Sequence, residues 1–444
     1  MVFVLGEYRI SGRRASEIAA AVEDGVASGA LAPGTLLPAM RELAGELGVN
    51  PNTVAAAYRT LRERGVIETD GRRGSRVRGR PATAPRDQPP LPPGVRDAAS
   101  GNPDVRLLPP LDAALAAAAA RHARRPTLYG DDPVLPELAR AARAAFDAEG
   151  VAAGPVAATS GALDGIERVL AAHLRPGDAV AVEDPGWGSL LDLVAALGLR
   201  VLPVPVGDDG PSAAAVDEAL RLGARALVVT ARAQNPTGAV VAAGRAAELR
   251  AVLAAHPGVL VIEDDHGHGI TDAPLHPLGG GTAHWALVRS TAKAYGPDLR
   301  LAVLTGDAVT LDRVRGRQRL GPGWVSRLLQ CAVVELWDAG AVDPVRVARS
   351  YAERRDALIA ALAGMGVRAH GRSGLNVWVP VADEAGAVAR MLAAGWAVAP
   401  GSRFRVRSGP GVRVTVSGLE PAEAPVLADA LAAAVRPAAG GRTV

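Results

Sequence analysis

One lysine, Lys293, stands in the stretch VRSTAKAYGPDLRLAV, residues 288–303, of a chain that holds 49 basic residues, all the others arginine. An arginine can replace a lysine wherever only a positive charge is needed, but a guanidinium keeps its proton near neutral pH and cannot condense with an aldehyde. A lysine amine can. A strong arginine bias would also leave a single lysine by chance, so the surrounding motifs must decide between the two explanations.

Two turns after predicted strands carry groups that suit an anion and a ring nitrogen. In AATSGALDGIERVL, Thr159, Ser160 and Gly161 precede a predicted helix, so hydroxyls and the first helical amides would converge on one point. In VIEDDHGHGI, an apolar run ends in carboxylates, one of which could pair with a protonated ring nitrogen. Taken alone, each stretch is explained as well by a helix cap or a surface turn.

Two further loops would complete such a site. RAQNPTG places Asn235 in a Pro-Thr-Gly turn, which could be turn chemistry alone. EDPGWGSLL sets Trp187 on a loop, either as core filler or as a flat stacking surface. With Arg300 seven residues after Lys293, these groups together are the parts needed to hold a phosphorylated pyridine aldehyde.

The elements that would position these groups alternate along most of the chain. Short valine-rich runs such as ALVVT, VLVIEDD and LAVLTG are separated by stretches rich in alanine and leucine. This alternation predicts an α/β fold with a mostly parallel sheet and covering helices. Ligands of such sheets bind where the strands end, which is where the motifs fall.

The first 80 residues predict a different kind of domain. RRASEIAAAVEDGVASGAL is a predicted helix that ends at Gly29, and PAMRELAGELG predicts a second, short one. NPNTVAAAYRTLRERG predicts a third helix, with Asn50 as N-cap, Pro51 at its first position and Gly65 as its end. The GVN turn makes the last two a helix-turn-helix, and VIETDGRRGSRVRG predicts a basic hairpin.

Charge in this head is clustered. Residues 59–80 carry eight arginines against three acidic residues, although the whole chain has a net charge of only +3. The arginines fall at the end of the third helix and on the hairpin, two places from which phosphates can be gripped. Nucleic acid is therefore the favoured partner, and a small helical domain with solvated arginines is the alternative.

A proline-rich segment follows the head. PATAPRDQPPLPP, residues 81–93, has six prolines in thirteen residues and predicts a semi-extended linker. We expect a DNA-binding domain at 1–80, a linker at 81–96 and an aminotransferase-like domain at 97–440, the last on the resemblance described below.

The segment SGALAPGTLLPAMRELAGELGVNPNTVAAAYRTLRERGVI resembles the winged helix of GntR-type bacterial regulators. The sequence departs from the family at Pro51, where an arginine often reaches DNA. The resemblance then implies that DNA contacts come from Arg41, Asn52 and Thr53 and from Arg72 and Arg73 on the wing.

The order of motifs over about residues 97–436 resembles fold-type I enzymes that use pyridoxal 5'-phosphate, the aminotransferase class I/II family, whose small C-terminal subdomain is α+β. By that resemblance Lys293 forms the Schiff base, Asp264 pairs with the pyridine nitrogen, and Arg413 grips a carboxylate of a substrate or effector. Tyr129 would reach the phosphate of a partner subunit, which implies a homodimer. The other cofactor-binding residues implied are Ser160, Ser290 and Arg300 at the phosphate, Gly161 and Ala162 in the same turn as Ser160, Asn235 at the ring hydroxyl and Trp187 stacked on the ring.

One position departs from that family. A tyrosine usually follows two residues after the pyridine aspartate, and here that place is taken by His266. A histidine can still donate to the ring hydroxyl, with changed electronics. The rival interpretation is a metal site built on His266 and His268, which lacks an evident third ligand nearby.

The two halves together resemble the MocR subfamily of GntR-type regulators, which are generally dimers that bind pyridoxal phosphate and sometimes an amino acid or amine effector. The expected function is a ligand-responsive transcription factor acting on an operator in double-stranded DNA. A working aminotransferase with a vestigial head is the alternative, and a plain DNA-binding protein whose body only dimerises is a third reading.

Composition narrows the setting. The chain of 444 residues is too long for one ordinary domain. Its only cysteine, Cys331, excludes an internal disulfide and a metal cluster held by cysteines. The first residues, MVFVLGEYRI, make neither a signal peptide nor a membrane span, and no later run is long and apolar enough for one. We expect a cytoplasmic protein without membrane contact.

Overall fold

The computed structural model describes residues 2–5, 8–27, 30–32, 34–63, 66–69, 74–77 and 90–435. Contacts divide the chain into two compact units, one of residues 1–88, 174–179 and 191–201 and the other of residues 89–173, 180–190 and 202–444. Most of the predicted linker lies outside the described residues, and its extent stays a prediction.

The head contains the three predicted helices and the predicted wing. Its elements are β1 (Val2–Leu5), β2 (Tyr8–Ser11), α1 (Ala15–Ala27), α2 (Met40–Leu47), α3 (Pro51–Glu63), β3 (Ile67–Thr69) and β4 (Ser75–Val77). The wing strands β3 and β4 pair antiparallel. An additional antiparallel hairpin of β1 and β2 precedes the helices. This hairpin was not predicted, although Val, Phe, Tyr and Ile are strand-forming residues.

Local chemistry explains how the helix-turn-helix is held. The Oδ1 atom of Asn50 accepts a hydrogen bond from the backbone amide of Asn52 at 2.8 Å, which is the predicted N-cap of α3. Gly48 ends α2 in the left-handed conformation, with φ of 63°. The hydroxyl of the buried Tyr58 donates to the carbonyl of Pro38 at 2.9 Å and so ties α3 to the segment before α2.

The body is built on an eight-stranded sheet in the order β6-β13-β12-β11-β10-β7-β8-β9. Its strands are β6 (Val156–Thr159), β7 (Ala179–Asp184), β8 (Arg200–Gly207), β9 (Gly210–Pro211), β10 (Ala224–Thr230), β11 (Leu260–Asp265), β12 (His284–Ser290) and β13 (Ala302–Gly306). The strands β10, β11 and β12 are parallel, as predicted. However, β13 is antiparallel to both of its neighbours, so the sheet is mixed.

Helices accompany this sheet and account for the alanine-rich stretches. They are α4 (Asp112–Arg124), α5 (Pro136–Ala148), α6 (Ala162–His173), α7 (Gly188–Ala196), α8 (Ala213–Arg221), α9 (Ala243–Ala254), α10 (Ala292–Tyr295), α11 (Ala308–Arg319) and α12 (Arg327–Asp338). Every residue of β11 is buried, which explains why its sequence is a continuous apolar run up to the terminal carboxylates rather than an alternating one.

The small subdomain has a four-stranded sheet in the order β14-β16-β15-β5. Its elements are β5 (Arg96–Ala98), α13 (Pro344–Gly364), β14 (Asn376–Pro380), α14 (Glu384–Ala393), β15 (Trp396–Pro400), β16 (Gly411–Thr415) and α15 (Ala424–Val435). The edge strand β5 comes from the start of the body, parallel to β15. The subdomain is therefore α+β, as the resemblance implies, but not wholly C-terminal.

A carboxylate at the end of β7 binds the loop before β16. Asp184 accepts hydrogen bonds from the backbone amides of Val406, Arg407 and Ser408 and from the hydroxyl of Ser408, at 2.7 to 2.9 Å. These four donors anchor the loop next to the large sheet.

Among the described residues, no helix has both the length and the apolar character that crossing a membrane requires.

Candidate functional site

The polar motifs meet at one edge of the large sheet. Asp264 lies opposite Thr230 of β10 and Val288 of β12, and Ser290 lies opposite Ala302 of β13. Ala302 in turn lies opposite Thr159 at the end of β6. Strand register therefore brings the anion-binding turn, the carboxylates and the segment of Lys293 to the same edge.

Lys293 lies on the short helix α10, three residues after the end of β12. Its Nζ atom donates to the carbonyl oxygen of Gly101 at 2.6 Å. Burial, with a smaller contribution from the positive charge of Arg413, lowers the pKa of Lys293 to about 8. A larger share of this amine is unprotonated at neutral pH than in an ordinary lysine, which is the state that attacks an aldehyde.

The three carboxylates that end β11 have different surroundings. Glu263 accepts from the backbone amides of Leu278 and Gly279, at 2.9 and 2.8 Å. Burial raises the pKa of Glu263 to about 7 despite these donors. Asp264 is 2% exposed and has His266 as its partner at Oδ2, but its Oδ1 atom has no hydrogen-bond partner among the described residues.

His266 is held by two acceptors. Its Nδ1 atom lies 2.9 Å from Oδ2 of Asp264, and its Nε2 atom lies 2.9 Å from the carbonyl oxygen of Ala233. Burial alone lowers the pKa of His266, but the Asp264 carboxylate outweighs it and the pKa is raised. Donation from this histidine to a ring hydroxyl stays a prediction, and it would require one of these two contacts to be exchanged.

Asp265 points to a separate cluster of buried charges. Arg232 and Arg289 each contact its carboxylate at 2.7 Å through Nε, and both also pair with Glu149. Burial raises the pKa of Asp265, but the two guanidinium charges outweigh this effect and the pKa is lowered. We call these residues, together with His268, the arginine cluster.

The arginine cluster bears on the rival metal site. His268 comes close enough to Glu149 and Asp265 for the three to share a metal ion. However, the Nδ1 atom of His268 lies 3.3 Å from Nη2 of Arg232. The two arginines already compensate the carboxylates, and His266 takes part in a different set of contacts. The structure therefore does not assemble the site that His266 and His268 suggested.

The predicted phosphate turn is organised around Arg300. Its Nη2 atom donates to the carbonyl oxygen of Ser160 at 2.6 Å. Gly161 has φ of 97°, and an added Cβ would lie 2.9 Å from the Arg300 guanidinium, so this position needs a glycine. Ala162 begins α6, and the buried Ser290 lies on the adjoining strand end, its hydroxyl accepting from the amide of Ala292. These residues offer cationic and amide donors at one helix N-terminus.

Arg413 and Asn235 lie together. Nη1 of Arg413 donates to Oδ1 of Asn235 at 2.9 Å, and Nη2 donates to the carbonyl oxygen of Ala99. The Nε atom of Arg413 has no partner within the described part of the chain. Burial lowers the pKa of Arg413 to about 10, which leaves it charged. A buried cation with an unused donor can receive an anionic group.

Two residues that sequence reasoning missed support these groups. Gly101, with φ of 70°, presents its carbonyl to Lys293, and an added Cβ would lie 3.0 Å from Arg413. Glu183 accepts from Gln234, which precedes Asn235 and so fixes the turn. A signal for Gly101 would have been the Ser-Gly-Asn-Pro turn of residues 100–103. No local signal marks Glu183.

Two predicted aromatic residues lie differently. Trp187 is half-buried on the turn between β7 and α7, at the same edge of the sheet. Tyr129 is 94% exposed and makes an edge contact with Trp324, with ring centroids 5.6 Å apart. Within one chain it does not join the site, and its role toward a partner subunit stays a prediction.

In the head, Arg41 on α2 and Asn52 at the start of α3 are exposed, and Thr53 is half-buried beside Asn52. Side chains at the start of the second helix of a helix-turn-helix are the ones that reach base edges. Arg72 and Arg73 lie outside the described residues.

The body site fits pyridoxal 5'-phosphate. The buried, unpaired Oδ1 of Asp264 is an acceptor for a protonated ring nitrogen. Lys293 supplies an amine of lowered pKa for the aldehyde, and the glycine turn with Arg300 supplies donors for the phosphate.

Comparisons with known families agree with this geometry. Residues 97–431 match the model of aminotransferase class I and II, and residues 14–77 match that of bacterial regulatory proteins of the gntR family.

Individual proteins extend the similarity to the whole chain. A vitamin B6 salvage pathway transcriptional repressor, PtsJ of Salmonella typhimurium, is 41% identical over 432 residues, which cover 94% of this chain and 98% of that protein. The transcriptional regulator TauR of Rhodobacter capsulatus is 29% identical, over 86% of this chain and 88% of its own. The structure of LysN, an α-aminoadipate aminotransferase of Thermus thermophilus complexed with N-(5'-phosphopyridoxyl)-L-leucine, has a TM-score of 0.66 at 25% identity, over 77% of this chain and 92% of its own.

The winged helix, the aminotransferase fold and the full-length similarity to a repressor together place this chain in the MocR subfamily of GntR-type transcriptional regulators, with a body of the aminotransferase class I and II family.

Proposed function

We propose that this chain is a transcriptional regulator that binds operator DNA through its head and pyridoxal 5'-phosphate through its body, and that the cofactor controls its affinity for DNA. The observation that carries the proposal is the buried acceptor of Asp264 at the same sheet edge as the Lys293 amine. Since a relative of 41% identity is named as a repressor of vitamin B6 salvage, we propose that the regulated genes belong to vitamin B6 metabolism. Such a protein would act in the cytoplasm.

Each residue of the site has a distinct task in this proposal. The bound cofactor supplies an aldehyde to which an amine can attach. Lys293 gives up the proton of its ammonium, which the lowered pKa makes easy, and the Gly101 carbonyl keeps the amine oriented. Arg300 and the amides around Gly161 hold the phosphate, and Asp264 accepts from the ring nitrogen.

An amino acid or amine is the finer proposal for a second ligand. Arg413 keeps an unused donor at Nε within the described residues. A carboxylate that binds there would also compete with Asn235 for Nη1. Such a ligand would therefore release Asn235 and change the contacts of its turn.

A homodimer is the proposed assembly. Tyr129 is 94% exposed in its own chain, and in the proposed dimer it would reach the phosphate of the partner subunit. The matched test replaces Tyr129 with Phe, which should weaken cofactor binding without changing the oligomeric state measured by light scattering.

The test of the function measures cofactor spectrum and DNA affinity in parallel, on DNA from upstream of the chain's own gene. We expect addition of pyridoxal 5'-phosphate to produce visible absorbance and to change DNA affinity by about 5- to 150-fold, the range of ordinary allosteric coupling. Lys293→Arg keeps the charge but should lose both effects. An unchanged DNA affinity in the cofactor-loaded wild type would refute the proposal.

The same samples separate the alternative, an active aminotransferase. Amino acids that are transaminated at about 1 per second or faster, without any change in DNA affinity, would favour the enzyme. Amino acids that alter the visible absorbance of the bound cofactor and also change DNA affinity would favour the regulator.

DNA contacts of the head are tested by salt dependence. Replacing one phosphate-contacting arginine should reduce the slope of log affinity against log salt by about one. We expect this for Arg41→Gln, and a reduction of about two for the double replacement of Arg72 and Arg73. The control is Arg349→Gln on α13, an exposed arginine of the body, which should leave the slope unchanged.

A further inference from the structure

We propose that His266 is a positioning residue that acts through Asp264: it occupies one oxygen of that carboxylate with a positive charge and thereby opposes protonation of the cofactor's ring nitrogen. The inference rests on the proposed binding of pyridoxal 5'-phosphate. It assigns a consequence to the one position at which the site departs from the tyrosine usual in the family.

The contacts of the His266 imidazole define where its protons lie. Nε2 lies 2.9 Å from the Ala233 carbonyl, which can only accept a hydrogen bond, so Nε2 carries a proton. Nδ1 lies 2.9 Å from Asp264 Oδ2. A proton must lie between these two atoms as well, and an ionised carboxylate paired with an imidazolium is the arrangement that the raised pKa of His266 supports.

The Oδ1 atom of Asp264 is the carboxylate oxygen that remains for a ligand. Its Oδ2 atom is used by His266, and Oδ1 is buried without a partner among the described residues. A ring nitrogen that binds at Oδ1 therefore meets a carboxylate whose negative charge is already balanced. With His266 charged, a protonated ring would place a second positive charge beside the same carboxylate. With the uncharged phenol of a tyrosine at position 266, the protonated ring would bring the first.

The largest charge effects on His266 come from two neighbouring side chains. Among the described residues these are the Asp264 carboxylate, which favours the imidazolium, and the Lys293 ammonium, which opposes it. Attachment of Lys293 to an aldehyde would change the charge of Lys293 and so alter its effect on the pKa of His266. The carbonyl of Ala233 adds a neutral acceptor that also favours the doubly protonated ring.

Weaker protonation has a chemical consequence. A protonated pyridine ring withdraws electrons from the bond that a transaminase must break, and a less protonated ring withdraws fewer. His266 would thus slow turnover. Slow turnover is what a regulator requires, and the proposal attributes it to the side chain of His266.

The experiment loads the full-length protein with pyridoxal 5'-phosphate labelled with nitrogen-15 in the ring and follows the nitrogen resonance across pH. Its midpoint reports when the ring nitrogen loses its proton. Removing a nearby positive charge should raise the midpoint by about one pH unit or more. We expect this rise in His266→Phe, which removes both nitrogens, and in His266→Gln, which keeps a neutral donor for Asp264.

Two further variants sharpen the result. His266→Tyr introduces the usual family residue and should also raise the midpoint. The matched control is His256→Phe, which removes a different histidine–aspartate contact, that of His256 with Asp217 at 3.2 Å, and should leave the midpoint at the wild-type value.

The outcomes are distinct. A midpoint that is unchanged or lowered in His266→Gln and His266→Tyr, with the cofactor bound, overturns the role of His266 and leaves the proposed function intact. A wild-type protein that shows no bound resonance contradicts the proposed function and this inference together. If His266→Phe does not fold, the Gln and Tyr variants decide.

Discussion

Asp264 and Asp265 are neighbours in the chain and are equally buried, yet their surroundings differ. Asp265 lies in the arginine cluster, where two guanidinium groups donate to its carboxylate and Glu149 pairs with the same two arginines. Asp264 has one partner, His266, and keeps Oδ1 unpaired within the described residues. Because successive side chains of a strand point to opposite faces, one face of β11 ends in a closed charge network and the other ends in an open one.

The different surroundings of the two aspartates indicate a structural role for Asp265 and a ligand-binding role for Asp264. A buried polar atom without a partner costs free energy, about 1 to 3 kcal/mol in proteins, and a ligand that donates to Oδ1 of Asp264 would remove that cost. The closed network keeps a cost of its own, since Nη1 of Arg289 has no hydrogen-bond partner among the described residues. That guanidinium instead stacks on the ring of Phe146, 4.6 Å from its centroid.

The largest expected effect comes from breaking the closed side. Asp265→Asn leaves Arg232 and Arg289 with Glu149 as their only carboxylate in the arginine cluster, and removal of one partner of a buried ion pair costs about 3 to 5 kcal/mol. We expect a lower denaturant midpoint for the body, measured by circular dichroism. Asp264→Asn, the matched control, should cost less than half as much. Equal losses would mean that the two faces do not differ as described.

The next effect concerns the open side. Asp264→Asn removes the charged acceptor for the ring nitrogen and should weaken binding of pyridoxal 5'-phosphate by about tenfold or more, the equivalent of a hydrogen bond to a charged group. Absorbance titration measures the change. Asp272→Asn removes the same charge from an exposed position just beyond the turn and should leave the affinity unaltered.

Lys293 gives a pH dependence of similar size. Its pKa is lowered from 10.5 to about 8, so the unprotonated fraction of the amine grows as the pH rises through 8. The rate of cofactor attachment should increase about tenfold between about pH 7 and about pH 9. Over the range between the two pKa values the unfolded chain binds this proton more tightly, so stability should also rise with pH. A rate independent of pH in stopped-flow absorbance would contradict the lowered pKa.

The smallest effect sharpens the comparison with a third strand-end carboxylate. Asp184 is closed by four donors, so Ser408→Ala removes one hydrogen bond and leaves three. We expect a loss of about 1 kcal/mol in stability and no change in cofactor affinity. A reduced affinity for the cofactor would instead connect this loop to the site.

The parts predicted from the sequence are those with local signals. The single lysine, the glycine turn before α6 and the acidic end of β11 are each visible within a few residues, and family resemblance gave them roles. The alternation of apolar runs and alanine-rich stretches gave the α/β class, and Asn50 gave the start of α3.

The parts missed depend on distant partners. The antiparallel direction of β13 follows from how α10 and the next turn return the chain, which no run of residues encodes. The arginine cluster joins residues 24 to 140 positions apart in the chain. Arg289 did offer a signal, because an arginine inside the apolar run WALVRS of β12 requires a buried partner. Which residue is the partner of Arg289 could not be inferred without the fold.

The alternation of Asp264 and Asp265 also protects the alignment of β11 with its neighbours. Sliding the strand by one residue would exchange the two faces, turning Asp264 toward Arg232 and Arg289 and Asp265 toward Lys293. The exchange would be electrostatically unfavourable, because His266 would lose its contact with Asp264 and both arginines would lose their ion pairs with Asp265. The arginine cluster therefore stabilises one register of β11. That register determines which of the two aspartate side chains faces the ligand.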